Sequence, residues 1–298
     1  MKIIQSHAQF KEGTPHHGAE KKEFLNFYSF LLSYLTLKKY YGHVTMHCNR
    51  KAKESLIKYI PHDSVRIVEN RNSPLFWSYY KVDVMSLMKE DFIHVDSDVF
   101  IFEDLFKKFT SSKKYDMIIQ NQIPKRFNYV KNYVEDFRDF VIENNLVDPD
   151  KYDGRCLSCG TVGMRIQHLS GYINVCETIR KGFIEAKTID KNFIGMASEE
   201  LALYLYSLNN DFKIHDILPY DDILEHDERG AGDRNNYTHL YRGTKFETRY
   251  VKLVRNKILK DFPKYVTHIQ RYEDEVMKGS KQLKEIIDEN NTVVRTIR

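Results

Sequence analysis

Short apolar runs and segments with helical spacing alternate through the first hundred residues of the chain. The apolar runs predict strands at residues 2–6, 43–47, 65–68 and 91–95. Apolar residues that recur three or four apart predict helices at residues 24–42, 52–60 and 74–87. Strands that alternate with helices in this way are typical of an α/β fold, in which a mostly parallel central sheet is flanked by helices.

The remainder of the chain is less regular. Further strands are predicted at residues 99–102, 115–120, 160–165 and 215–219, and further helices at residues 125–145 and 197–208. Residues 225–236, with Gly230 and Gly232 among charged and amide side chains, predict a mobile loop. From Lys245 onward the chain is charged and its end looks helical and exposed. We therefore expect one domain at residues 1–250 and a C-terminal helical extension at residues 251–298.

Composition limits the classes of partner. The 298 residues, 42% of them hydrophobic, suffice for one large domain. A net charge of +4 without a long basic block suits an anionic small molecule and argues against a nucleic-acid partner. No segment approaches the roughly 20 apolar residues of a membrane span, and the first residues do not resemble a signal peptide. These features favour a cytoplasmic protein.

Four cysteines agree with a reducing compartment. Cys156 and Cys159 have the Cys-x-x-Cys spacing, but no second pair follows to complete a zinc site. We expect reduced thiols beside a glycine turn, and a redox or metal role for these two cysteines stays open.

Two aspartates directly follow the apolar run at residues 91–95. Ligands of open parallel sheets bind outside the carboxyl ends of the strands, where Asp96 and Asp98 would lie. An extended backbone would point both carboxylates the same way, with Ser97 opposite. Paired carboxylates among apolar residues require a positive neighbour, and a hard cation such as Mn²⁺ or Mg²⁺ suits them. Two solvated turn aspartates are the alternative.

Two segments resemble known glycosyltransferases. Residues 92–100 resemble the Asp-x-Asp segment of GT-A-fold nucleotide-sugar glycosyltransferases. Residues 238–245 resemble the His-x-x-Gly-x-x-Lys element of glycogenin-like and lipopolysaccharide glycosyltransferases, although the glycine here comes one residue late. The resemblance runs from Met1 to about Lys245 in the order of elements, and it implies a GT-A-like fold.

The resemblance also implies roles for individual residues at the metal and the donor diphosphate. It implies that Asp98 is a metal ligand, that Asp96 contacts the metal or the ribose, and that His239 is the third ligand. It further implies that Gly243 and Lys245 hold the diphosphate of the donor.

Other positions carry weaker expectations. Lys81 lies on the helix that often presents a basic residue to the nucleotide-sugar in this superfamily, although a lysine can also extend to the surface there. Gly160 would let the backbone approach the donor sugar. Ser6 and His7 follow the first strand, where a base or ribose rests, and Asn121 follows the strand at residues 115–120 at the same sheet edge.

An acidic pair, Glu199 and Glu200, lies at the predicted start of a helix. The superfamily has an acidic residue near this point, and an inverting enzyme needs a carboxylate to accept the acceptor's proton. Glu200 is the favoured candidate. Acidic residues in a first turn also stabilise the helix dipole, with Ser198 as the N-cap, so a structural role is the alternative.

These expectations combine into a metal-dependent glycosyltransferase. The donor would be a nucleoside-diphosphate sugar, UDP being the favoured nucleotide, and the acceptor a glycan or lipid-linked molecule, as in bacterial surface glycan synthesis. The basic tail would allow peripheral contact with an anionic membrane surface. Two alternatives stay open: a haloacid-dehalogenase-type phosphatase with Asp96 as nucleophile, whose motif normally lies on the first strand, and a non-catalytic nucleotide-sugar-binding protein.

Overall fold

A computed structural model describes residues 1–9, 24–69, 78–123, 138–185, 191–218, 231–234, 236–240 and 246–287. Within these ranges the strands are β1 Lys2–His7, β2 Val44–Cys48, β3 Ser64–Ile67, β4 Phe92–Val95, β5 Val99–Ile101, β6 Met117–Ile123, β7 Cys156–Met164, β8 Ile214–Asp216, β9 Ala231–Arg234 and β10 Tyr237–His239. The helices are α1 Asn26–Tyr41, α2 Arg50–Ser55, α3 Tyr79–Ser86, α4 Lys107–Thr110, α5 Arg138–Glu143, α6 Ile166–Glu185, α7 Lys191–Asn209, α8 Thr248–Asp261, α9 Val266–Tyr272 and α10 Lys281–Ile287.

Seven strands form the central sheet in the order β3–β2–β1–β4–β7–β6–β8. All neighbouring pairs are parallel except those of β7, which runs antiparallel to both β4 and β6. The predicted α/β class, with a mainly parallel sheet flanked by helices and helices at the C-terminal end, is confirmed. Because β4 lies in the middle of the sheet, the residues that follow it face the centre of its carboxyl edge.

The sheet separates two apolar layers. Successive side chains of a strand point to opposite faces, and Ile3 and Ile4 of β1 accordingly belong to different core clusters. One layer is formed with α1 and α8, and the other with α3, α6 and α7. Among the described residues, no helix is long and apolar enough to cross a membrane.

The segment at residues 99–102 forms the predicted strand. Its strand β5 does not belong to the central sheet but to a second, three-stranded sheet in the order β5–β10–β9. The chain leaves the central sheet because it turns directly after β4, where the Val99 N–H donates to the Asp96 carbonyl at 3.1 Å. The two aspartates therefore lie on a turn, and the predicted extended segment is wrong.

Three further predictions need correction. Strand β9 lies inside residues 225–236, for which a loop was predicted; residues 219–230 and 235 are outside the described part. Helix α6 was not predicted, although its buried Leu169, Tyr172, Cys176 and Ile179 recur three or four residues apart. Helix α7 begins at Lys191, so Glu199 and Glu200 lie in its interior and not in a first turn.

The C-terminal helices pack against α1. Val251, Val254 and Ile258 of α8 are buried in the same cluster as the apolar residues of α1. The Tyr28 hydroxyl of α1 donates to Glu273 at 2.9 Å, and Arg255 binds the same carboxylate at 2.7 Å. Helix α10, the last described helix, is mostly exposed as expected, residues 288–298 lie outside the described part, and a domain boundary at residue 250 stays a prediction.

Candidate metal centre

The turn after β4 presents two carboxylates at the carboxyl edge of the central sheet. Asp96 is anchored by its backbone N–H, which donates to the Gly160 carbonyl at 2.8 Å. Asp98 is mostly buried, whereas the Asp96 side chain is about a quarter exposed. Burial raises the pKa of Asp96, Lys81 opposes that effect, and the neighbouring Asp98 raises the pKa further. Two neighbouring carboxylates repel each other when both are charged, so a cation between them is favoured.

The second sheet delivers a histidine to this turn. In the antiparallel pair of β5 and β10, His239 lies opposite Val99, and the Leu240 N–H donates to the Asp98 carbonyl at 3.0 Å. The Nε2 atom of His239 is 3.4 Å from the Asp98 carboxylate. One ligand atom each from Asp96, Asp98 and His239 lie within 4.8 Å of one another, so the group can hold a metal ion.

Lys81 of α3 neutralises the acidic turn. Its Nζ lies 2.9 Å from one carboxylate oxygen of Asp96 and 3.2 Å from the other. The same ammonium lies 2.8 Å from Glu199 and donates to the Cys159 carbonyl at 2.8 Å. Burial alone would lower the pKa of Lys81, but Asp96 and Glu199 outweigh it and raise the pKa, so the lysine is charged.

An irregularity between β6 and β7 shapes the site. The register shifts between Ile119, which pairs with Val162, and Asn121, which pairs with Ser158. The bulged residues of β7 leave the regular ladder, and β-bulges of this kind redirect backbone and side-chain groups. The Cys159 carbonyl thereby reaches Lys81.

Gly160, in the same bulge, lies against the metal centre. A Cβ atom on Gly160 would lie 2.3 Å from Gln120 Oε1 and 2.6 Å from His239 Nδ1. Only glycine leaves room for these two side chains. The structure thus shows Gly160 beside a candidate metal ligand, and the predicted contact with a donor sugar stays a prediction.

Glu199 joins the centre through Lys81. It is 4% exposed, and burial raises its pKa to about 7, although Lys81 opposes the shift. Glu200, the acid favoured from the sequence, is half-buried on the same helix. The structure therefore brings Glu199 and not Glu200 into contact with Lys81, while the catalytic role predicted for either acid stays a prediction.

The remaining predicted residues lie at the same sheet edge or outside the described part. Ser6 Oγ is 2.8 Å from His94 Nε2, and the ring of His7 packs edge-on against Phe30. Asn121 is buried, and its side-chain amide donates to the Gln122 carbonyl. Gly243 and Lys245 lie outside the described residues.

Two residues at the centre were missed from the sequence. His94 Nδ1 is 3.7 Å from the Asp96 carboxylate, but burial lowers its pKa well below the usual value, so this contact is between a neutral ring and a carboxylate. Gln120 Oε1 is 2.8 Å from His239 Nδ1. His94 had a local signal, since it stands two residues before Asp96; Gln120 had none, since its contact depends on strand pairing.

Fold and site together define an α/β protein with two carboxylates and one imidazole grouped at the carboxyl edge of its central sheet. The chain belongs to the family described as a family of unknown function (DUF6734), whose model matches residues 1–272. None of the curated proteins matches the sequence.

Three solved structures share part of the fold. The inositol-1-phosphate CTP transferase from T. maritima is 11% identical and has a TM-score of 0.43, covering 87% of this chain and 96% of that one. A glycosyltransferase involved in glycosylation of the major capsid of PBCV-1 is 9% identical, with a TM-score of 0.42 and coverage of 85% and 100%. The galactosyltransferase LgtC is 8% identical, with a TM-score of 0.38 and coverage of 66% and 70%. All three TM-scores lie below 0.5.

Proposed function

We propose that this protein is a metal-dependent glycosyltransferase that moves a sugar from a nucleoside-diphosphate sugar to a glycan or lipid-linked acceptor. One observation carries the proposal: Asp96, Asp98 and His239 converge within 4.8 Å at the carboxyl edge of the central sheet. That edge is where α/β sheets bind their ligands, and a diphosphate is the kind of ligand that such a cation recruits. UDP-sugars are the first donors to test.

The donor atoms fit Mn²⁺ or Mg²⁺. Carboxylate oxygens suit both ions, and a neutral imidazole favours the transition metal. Asp98 and His239 would hold the ion, and Asp96 would share it with the donor. When bound there, the ion would stabilise negative charge on the departing diphosphate as a Lewis acid.

Lys81 is better suited to holding Asp96 than to holding the donor. An ammonium group has three N–H donors. Three acceptor groups lie within hydrogen-bonding distance of Lys81 Nζ, namely Asp96, Glu199 and the Cys159 carbonyl. The lysine thus fixes the orientation of Asp96 and offsets its charge. The predicted diphosphate contacts, Gly243 and Lys245, remain part of the proposal.

The base that takes the proton from the hydroxyl of the sugar-receiving molecule would come from α7. A pKa of about 7 suits Glu199 for proton transfer, but its contact with Lys81 and its burial favour a structural role. Glu200 is more exposed on the same helix. If Glu200 is the base, Glu200→Gln should lower kcat and leave donor binding unchanged, whereas Glu199→Gln should change both.

A donor screen tests the proposal. Thermal shifts are measured with UDP-, GDP- and TDP-sugars in Mn²⁺, Mg²⁺ or EDTA, and donors that stabilise the protein are assayed for release of the free nucleoside diphosphate. Metal-dependent stabilisation and release are expected. Donor binding without consumption would instead indicate a binding protein, and this outcome would contradict an enzyme.

Two further assays separate other transferases and hydrolases. Turnover of p-nitrophenyl phosphate without donor binding would indicate a phosphatase with Asp96 as nucleophile. The position of β4 after three other strands speaks against that alternative. Pyrophosphate release from a nucleoside triphosphate and a sugar phosphate would indicate nucleotidyl transfer and would overturn the proposal.

A further inference from the structure

The side chain of Gln120 lies against the ring nitrogen of His239 that faces away from Asp98. Its Oε1 is 2.8 Å from His239 Nδ1 and 3.0 Å from the Tyr237 hydroxyl. An amide oxygen accepts hydrogen bonds and cannot donate them, so Nδ1 carries the proton when the ring has only one. The other nitrogen, Nε2, then presents its lone pair at 3.4 Å from Asp98.

The surroundings of Gln120 hold it in this position. Gln120, Tyr237 and Thr161 are fully buried, and the Tyr237 hydroxyl is 3.0 Å from the hydroxyl of Thr161. Tyr237 and His239 are two residues apart on β10 and therefore point to the same face, which is why one oxygen receives both. The backbone of Gly160 lies directly against both Gln120 and His239, because a Cβ atom there would overlap them.

This arrangement affects how well His239 can bind a metal. An imidazole binds through the lone pair of one nitrogen, and the hydrogen bond of the other nitrogen decides which one is available. Partners of this kind also fix the plane of the ring, and their loss typically weakens metal binding about 10- to 100-fold. If Gln120 only filled space, replacing it would leave the proton of His239 on the same ring nitrogen.

We propose that Gln120 is a positioning residue that, with Tyr237 behind it, keeps the proton of His239 on Nδ1 and aims Nε2 at the acidic turn. The inference rests on the metal centre of the proposed function and not on the group that is transferred. It requires no sugar nucleotide, so it can be tested even if the donor stays unidentified.

The test combines a spectroscopic and a binding measurement on the full chain. Gln120→Met has similar length but removes the strong acceptor, whereas Gln120→Glu keeps an acceptor oxygen. Gln122→Met is the matched control, because Gln122 lies on the same strand but bonds to Asp216. Long-range ¹⁵N NMR of the metal-free protein locates the His239 proton, and titration followed by electron paramagnetic resonance gives the Kd for Mn²⁺.

We expect the proton on Nδ1 in the wild type, Gln120→Glu and Gln122→Met. In Gln120→Met the Nδ1–H signature should be lost, and Mn²⁺ binding should weaken about 10- to 100-fold. A wild-type proton on Nε2, or wild-type Mn²⁺ affinity in a folded Gln120→Met, would overturn the inference. The wild-type spectrum decides the matter even if Gln120→Met fails to fold.

The outcomes also separate this inference from the proposed function. If the wild type shows the proton on Nδ1 and binds Mn²⁺ but consumes no donor, glycosyl transfer fails and the role of Gln120 stands. If donor turnover is metal-dependent but Gln120→Met leaves the Kd for Mn²⁺ unchanged, the proposed function stands and the role of Gln120 fails.

Discussion

Two networks of side chains meet at the candidate metal centre from opposite faces of the central sheet, and they differ in charge. The ionic network joins Lys81 to Asp96 and Glu199. The neutral network, listed from the ligand outward, consists of His239, Gln120, Tyr237 and Thr161. The ionic network places a cation on Asp96 before any metal arrives, whereas the neutral network only orients a ligand.

The difference has a physical consequence. A lysine and a metal ion compete for the same carboxylate, so the ionic network should stabilise the metal-free protein at some cost to metal affinity. A neutral hydrogen-bond chain has no charge to compete with, so it should favour the metal without much effect on the metal-free protein. Variants in each network should therefore move stability and metal affinity in different combinations.

The largest effect is expected at the ligand that neither network can replace. Asp98→Asn keeps the shape of the side chain but removes its charge. Loss of a residue that only hydrogen-bonds to a metal ligand weakens metal binding about 10- to 100-fold. Loss of the charge of a ligand itself should therefore weaken Mn²⁺ binding more than about 100-fold. Metal-dependent donor turnover should be lost, as measured by nucleoside-diphosphate release. Asp139→Asn, an exposed change on α5, is the control. An Asp98→Asn protein with full activity would show that the turn is not the metal site.

Lys81→Met should test the ionic network through stability. Removing the cation leaves Asp96 and Glu199 without their partner, and breaking a buried ion pair costs about 3–5 kcal/mol. We expect a fall of this order in the free energy of unfolding without metal, and a larger increase in Tm on adding Mn²⁺ than in the wild type. Lys151→Met, which breaks the exposed pair with Asp211, should cost less than about 1 kcal/mol. A smaller Mn²⁺ effect in Lys81→Met would contradict the competition.

Two glycines of β7 should separate packing from metal binding. A Cβ at Gly160 would overlap Gln120 and His239, whereas one at Gly163 would lie 2.4 Å from Ile118 and 2.8 Å from Ile93. Both alanine variants should lose about 1–3 kcal/mol of stability in chemical denaturation, because overpacking displaces buried neighbours. Only Gly160→Ala should also weaken Mn²⁺ binding. Equal Mn²⁺ affinities in the two variants would remove Gly160 from the site.

The pH dependence of stability tests the environment of Glu199. Burial raises the pKa of Glu199 from 4.5 to about 7 in the folded protein. The folded state therefore binds the proton more tightly, and the free energy of unfolding should fall as the pH rises from about 4.5 to 7. In Glu199→Gln, compared by urea unfolding across this range, that part of the fall should be absent. Parallel curves for the two proteins would contradict a raised pKa.

Much of the fold could be predicted from periodicity. The strands β1, β2, β3, β4 and β6 and the helix α1 lie close to their predicted positions, because each carries its own apolar pattern. Strand β5 also has such a pattern, but the pattern does not show which sheet the strand joins. An apolar run indicates that a strand is buried, but the strand it pairs with depends on a turn and on residues far along the chain.

The candidate site, like the fold, could be predicted only in part from the sequence. Asp96 and Asp98 could be found because they stand beside an apolar strand, and His239 because it lies in a recognisable segment. Glu199 could not be ranked above Glu200, since the packing of α7 against α3 and β7 decides which of the two acids faces Lys81.

The sequence by itself determined most of the elements and the position of the acidic pair directly after β4, since these depend on spacing within a few residues. Only the tertiary structure decided that β10 lies beside β5, that a bulge turns the Cys159 carbonyl to Lys81, and that Gln120 meets His239. These contacts join strands distant in sequence, and their register is set by the packing of whole faces and not by any local pattern.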